Sequence, residues 1–297
     1  VLGLALLGLA AWIVVRDAST LRDAWASIQN ASPWLLLAVL ALPVLSWSLT
    51  AMMYCSLTNR DRDIVRRRHV RLTEMHAVLG SAWLLNFLPA RPGMVGRIAY
   101  HTQVNRIPLP SVIKASLWAV VCGVAASATL VAVALMLMLL RDVSAAGLQP
   151  AVQLAGIALP AVTLACGAWL LRTREGHRRV LLALLARYLD VLTWLARYAC
   201  IFAMLGRPLS LLEAAALAAA SQASNMVPLV GNGMGVREWA SALLAPALPA
   251  VDGAATLTRS LTLSAELVHR ASEVLVAVPI GLASMAVVSR RAMGRRR

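Results

Sequence analysis

Apolar residues run along this chain in stretches long enough to cross a bilayer. Residues 34–57 and 151–171 contain no charged side chain, and residues 111–140 contain only Lys114. A span needs about 20 apolar residues, so each of these stretches predicts a transmembrane helix. Residues 184–205 and about 256–289 fit with a few ionisable interruptions, and residues 1–15 fit as the end of a first span expected to extend upstream of Val1. Two further apolar regions, 73–107 and 211–250, are each broken near the middle. The pattern predicts an all-α polytopic membrane protein. It has about six full spans plus two broken helices, all in one transmembrane domain over residues 1–297.

The two breaks resemble each other. Residues 86–97 read NFLPARPGMVGR and residues 225–237 read NMVPLVGNGMGVR, which aligns Asn86, Pro89, Gly93, Met94 and Arg97 with Asn225, Pro228, Gly233, Met234 and Arg237. This is an internal repeat. Pro89, Pro92 and Pro228 are expected to end the leading half-helices, because proline lacks the amide and restricts the residue before it. Gly93 and Gly96, and later Gly231, Gly233 and Gly235, let the backbone turn closely. A second half-helix is expected to begin near Val95 with Arg97 in its first turn, and Arg237-Glu238 is expected to open its counterpart. A cation is unfavourable at a helix N-terminus. The arrangement therefore predicts an anionic ligand held by Arg97, Arg237 and the free amides. Asn86, Asn225, Gly93, Gly231, Gly233, Gly235 and Glu238 would complete the site. The alternative is that these residues satisfy only one another at two helix breaks.

Composition agrees with the pattern. The chain is 60% hydrophobic with mean hydropathy +0.74, against about half apolar for a soluble domain. Its formal net charge is +15, and all its basic residues are arginine except Lys114. The arginines sit in short loops between apolar runs, so topology explains them and nucleic-acid binding is not expected. Six lie in 58–71, five in 172–187 and five in the tail 289–297, whereas 16–33, 141–150 and 206–213 hold four together. By the positive-inside rule the first set is cytoplasmic. Both termini are then cytoplasmic, as expected in a bacterial inner membrane. Parity makes 73–107 a re-entrant hairpin entering from the cytoplasm and 211–250 one entering from outside. The halves 34–140 and 184–289 thus form an inverted-topology repeat, a transporter signature.

The last span carries Glu266, His269, Arg270 and Glu273, where Glu266 with Arg270 and His269 with Glu273 are spaced to pair on one face. Charges at membrane depth are costly, so this cluster is expected to line a cavity or the bundle interior and to offer a route for proton coupling. The alternative is that this half of the segment lies in the interface. Asp190 and Arg197 are expected to form a structural ion pair. The cysteines Cys55, Cys122, Cys166 and Cys200 are far apart and fit buried thiols. The scattered histidines show no metal spacing. No nucleotide-binding loop or nucleophile elbow occurs, so neither a metal, a cofactor nor an enzymatic activity is expected.

The N-x-x-P stretch from Asn86 and the P-x-x-G-x-G-x-G-V-R-E stretch from Pro228 to Glu238 resemble paired signatures of a flippase-like membrane family. That family is typified by the transmembrane region of lysylphosphatidylglycerol synthases. The resemblance covers about residues 30–290. It implies a stand-alone module, without the aminoacyl-transferase domain, that moves an anionic or headgroup-modified lipid between leaflets. In this chain Ala90-Arg91-Pro92 replaces the glycine-rich form usual in the first signature. Two other classes stay open: a membrane-embedded transferase acting on a lipid carrier, with Glu238 or Glu273 as base, and a non-transporting scaffold for a lipid-pathway enzyme. Homo-oligomerisation also stays open.

Overall fold

The structure is a computed structural model that describes residues 18–60, 69–88, 90–141, 175–225, 231–248 and 256–294, together with Gly8 and Trp12. The expected spans 1–15 (apart from Gly8 and Trp12) and 151–171, and the helix-ending Pro89 and Pro228, lie outside the described residues. Among the described residues all regular structure is helical. The helices are α1 (Ala18–Gln29), α2 (Pro33–Thr58), α3 (Leu72–Leu85), α4 (Pro92–Ala99), α5 (Leu109–Arg141), α6 (Glu175–Met204), α7 (Leu211–Asn225), α8 (Val236–Leu244) and α9 (Arg259–Gly294).

Among the described residues three helices are long and apolar enough to cross a membrane: α2, Leu109–Val133 of α5 and Arg259–Met293 of α9. They coincide with three of the predicted spans, where in lipid a helix satisfies the backbone from within the segment. Helix α6 covers the stretch predicted at 184–205 and starts earlier, at Glu175. Its 30 residues would reach about 45 Å, but Arg187, Asp190 and Arg197 keep it out of that apolar group.

Local chemistry sets the helix ends. Ser210 and Glu213 form a reciprocal capping box at the start of α7. The Ser210 amide donates to Glu213 Oε2 (2.8 Å) and the Glu213 amide donates to Ser210 Oγ (3.2 Å), which satisfies donors that a helix start otherwise leaves bare. Thr258 Oγ1 accepts the Leu261 amide at the head of α9 (3.3 Å). Helix α4 starts at Pro92 instead of near Val95. A proline at the first helical position loses nothing, because its missing amide would be unpaired there anyway. Arg97 therefore sits in the last turn of α4, not the first. The helix then continues as a π-helical turn, Tyr100–Val104.

The chain divides into two compact units. Unit 1 gathers Val1–Val44, Asn86–Arg91 and Thr193–Ala277, and unit 2 gathers Leu45–Leu85, Pro92–Leu192 and Val278–Arg297. Each unit draws on both halves of the sequence repeat. In unit 1, α7 packs against α8, and Ala242 and Leu263 join α8 to α9. In unit 2, α3 packs against α4, and Met53, Leu57, Ala115, Cys122, Ala183 and Ala186 tie together α2, α5 and α6.

Unit 2 also contains a close helix crossing. A Cβ on Gly80 of α3 would collide with the Ser284 side chain, and a Cβ on Gly281 would collide with Leu84. Small residues allow this approach, as they do wherever helices pack without lipid between them. Gly281→Leu is expected to cost about 1–3 kcal/mol by overpacking, read as a lower melting temperature of the detergent-solubilised protein. Leu282→Ala, which faces outward (58% exposed), should leave that temperature nearly unchanged.

Candidate functional site

The second break builds its turn from backbone that only a few residues tolerate. Asn232 (φ 46°), Gly233 (φ 66°) and Gly235 (φ 79°) all have positive φ, and Gly231–Gly233 forms a short 3-10 turn. A Cβ on Gly233 would lie 2.7 Å from Asn225 Oδ1, so glycine is needed there for both space and conformation. Helix α8 follows at Val236, with Arg237 and Glu238 in its first turn as expected. Glu238 Oε2 accepts the Gly235 amide (2.7 Å). The negative charge that the helix start favours is thus supplied from within the chain.

Arg237 is fully buried and enclosed by carboxylates. Its Nη1 donates to both oxygens of Glu273 (3.2 and 3.1 Å), its Nε lies 3.1 Å from Glu266 Oε2, and its Nη2 lies 4.0 Å from Glu238. The Nε contact is electrostatic and is not aligned as a hydrogen bond. Arg270 makes a second bridge to the same turn. Its Nε and Nη2 donate to Glu238 Oε1 (2.9 and 2.8 Å), Nη1 and Nη2 reach the Asn232 carbonyl (3.2 and 3.3 Å), and Nη1 reaches Glu273 (3.4 Å). Arg197 of α6 adds a third guanidinium, 3.2 Å from Glu273 Oε1.

The result is a compact ionic network in unit 1. Three arginines (197, 237, 270) face three glutamates (238, 266, 273), so the charges cancel, and all six side chains are buried. An aromatic wall backs it. Trp194 lies beneath Arg197 at 5.0 Å, Tyr198 donates its hydroxyl to Glu266 (2.5 Å), and the His269 ring stacks on Tyr198 at 5.1 Å. His269 Nδ1 accepts from Arg197 (3.5 Å), while its Nε2 is buried without a hydrogen-bond partner among the described residues.

Two pairings inferred from spacing turn out differently. His269 does approach Glu273 (3.8 Å), but Glu266 takes Arg237 and Tyr198, and Arg270 takes Glu238 and Glu273. Spacing of four puts two groups on one face. It cannot register better partners brought in by α8. Asp190 is bonded by Arg187 and Ser46, and Arg197 by Glu273. A spacing of seven separates Asp190 and Arg197 by about 10 Å along the helix, and each takes a nearer partner. The buried Glu266, His269, Arg270 and Glu273 place this half of α9 in the protein interior instead of an interface.

The first break is built without glycine at its turn. Ala90 (φ 62°) and Arg91 (φ 49°) both adopt left-handed backbone, at a cost of about 1–2 kcal/mol each. Arg91 offsets part of that cost by donating its Nη2 to the Asn225 carbonyl (2.7 Å), which ties the tip 86–91 to the end of α7 within unit 1. Asn86 follows α3 directly and Asn225 ends α7, so each asparagine closes the leading helix of its break. Gly93 is buried in α4.

Arg97 belongs to unit 2 and has different surroundings. It is 6% exposed, its Nη2 donates to Ser116 Oγ (3.0 Å), and its guanidinium lies over the Tyr54 ring at 3.8 Å. Among the described residues no carboxylate comes within 4 Å of it. A desolvated cation–π contact is worth about 2 kcal/mol and a charged hydrogen bond about 1.5–3, against several for burying an ion. These terms nearly cancel and leave most of the guanidinium donors uncommitted. Neither Tyr54 nor Ser116 was singled out by sequence, because each is an ordinary residue inside an apolar span. Among the described residues no group of three or more His, Cys, Asp or Glu is arranged to hold a metal. No protein-family model and no curated protein matches the chain.

Proposed function

We propose that the protein is a flippase-like transporter that moves an anionic or headgroup-modified lipid between leaflets of the bacterial inner membrane. In this reading the two broken regions are re-entrant hairpins of an inverted repeat among six spans, with both termini cytoplasmic. The observation that carries it is the pair of matching helix breaks, each with a buried arginine, whose tips are joined by the Arg91–Asn225 hydrogen bond. Irregular backbone and buried charge at membrane depth are tolerated where they line a polar path, and broken helices of this kind hold the ligands of secondary transporters. The transferase alternative needs a free general base. Glu238 and Glu273, its two candidates, are each held by arginine, which favours transport. The test is leaflet exchange of labelled phosphatidylglycerol in proteoliposomes. Exchange should exceed that of protein-free vesicles severalfold. Equal rates with and without correctly inserted protein would sink the reading.

A further inference from the structure

The two arginines matched by the repeat differ in electrostatic state. Arg237 lies within 4.0 Å of three carboxylates, in a network of three arginines and three glutamates whose charges cancel. Arg97 is nearly as buried, yet among the described residues its partners are only a hydroxyl and an aromatic face. Glu74 of α3, the helix packed on α4, is engaged by the Tyr100 hydroxyl (3.0 Å) and by Arg291 (3.7 Å). A guanidinium carries five N–H donors, and Ser116 accepts one of them. Ser116 gives its own proton to the Val112 carbonyl (2.9 Å), so it fixes the guanidinium in place and leaves the rest of the fork free.

A second unused donor sits one turn further along. His101 is 2% exposed, on the π-helical turn that follows α4. Asn105 Nδ2 lies 3.1 Å from its Nδ1. As those atoms are assigned, Nδ1 accepts and Nε2 carries the proton. That Nε2 is buried and has no hydrogen-bond partner among the described residues. Buried polar atoms in proteins are nearly always paired, and π-helical turns recur at functional sites. Among the described residues, then, a buried cation lacks a counter-ion and, four residues on, a buried donor lacks an acceptor, and an anion is the one kind of group that would answer both.

We propose that Arg97 and His101 form an oxyanion site in unit 2 that takes a phosphate group, with Ser116 and Tyr54 orienting the guanidinium. The anion contact of the transport reading then falls on Arg97 alone, and Arg237 serves the internal network. The proposal rests on that reading for the biological source of the phosphate, not for the site itself. Two sources share this chemistry, a lipid phosphodiester and free inorganic phosphate.

The test uses the full chain purified in detergent, with two probes: retention of phosphatidylglycerol by native mass spectrometry, and thermal shift with inorganic phosphate against chloride at equal ionic strength. Wild type should respond to at least one probe. Arg97→Gln should weaken that response at least tenfold, Arg97→Lys should retain part of it, and the exposed Arg178→Gln should match wild type. Lipid retention alone identifies the phosphodiester as ligand, and a phosphate shift alone identifies the free ion. Without either probe, Arg97→Gln should melt no lower than wild type, since it removes a buried charge that lacks a partner. Retention and shift unchanged in Arg97→Gln, or absent from wild type, overturn the site. Leaflet exchange in the wild type is read separately. A protein that binds through Arg97 and moves no lipid keeps the site and loses the transporter. One that loses binding as Arg97→Gln yet moves lipid equally well keeps the site and removes it from the transport path.

Discussion

Arg237→Gln is expected to destabilise the protein by about 3–5 kcal/mol, the loss measured when one partner of a buried ion pair is removed. The size follows from what remains. Glu266 keeps the Tyr198 hydroxyl, and Glu273 keeps Arg197 and Arg270, but the buried network goes from balanced to one net negative charge. The check is chemical or thermal unfolding in detergent, compared with Arg207→Gln. Arg207 (side chain 15% exposed) pairs with the buried Glu213 (2.8 Å), which keeps the Ser210 amide and hydroxyl when the arginine is lost, so its removal should cost less than that of Arg237. If Arg237→Gln is no worse than Arg207→Gln, the ionic network does not hold α8 to α9. Replacing Arg237 and Glu266 together, as Arg237→Met with Glu266→Gln, restores the balance and should recover part of the loss.

The parts of the fold that sequence predicts well are those where a single property decides. Helices α2, α5 and α9 are legible because long apolar runs leave the backbone no alternative in a membrane. The second break is legible because Gly233 and Gly235 announce positive-φ backbone and Arg237-Glu238 follows at once. The first break misleads because Pro92 can either end a helix or begin one. It begins α4, and Arg97 moves from the first turn to the last. The Ser210–Glu213 box matches a pattern that can be recognised in sequence, whereas the partners of the buried charges cannot be read that way. Glu273 meets Arg197 from 76 residues away and Arg237 from 36. Arg91 finds its carbonyl across 134 residues. Helical spacing reports a shared face and says nothing about what a third helix brings to it, so it pairs Glu266 with Arg270 when Arg237 is the stronger claimant. Arg197 is the residue whose importance was there to be inferred, since an arginine deep in an apolar helix needs a partner.

Glu273→Gln should be nearly as damaging as loss of Arg237, again about 3–5 kcal/mol, and it separates a network from a set of pairs. Glu273 is the only one of the three glutamates that touches all three arginines: Arg197 at 3.2 Å, Arg237 at 3.1 Å and Arg270 at 3.4 Å. Neutralising it leaves three guanidiniums against two carboxylates, and those two are already committed to Arg237 and Arg270. Arg197 then keeps only its contacts with His269 Nδ1 and the Trp194 face, neither of which is an anion. The expected signature lies in the double-mutant cycle. Arg197→Gln on the Glu273→Gln background removes the stranded cation and should cost at least 1 kcal/mol less than Arg197→Gln in the wild type, within the range seen for directly contacting groups. Additive losses would mean that Glu273 and Arg197 act independently. A smaller joint loss ties α6 to α9 through this carboxylate, because the two helices share a charge that neither can hold buried alone.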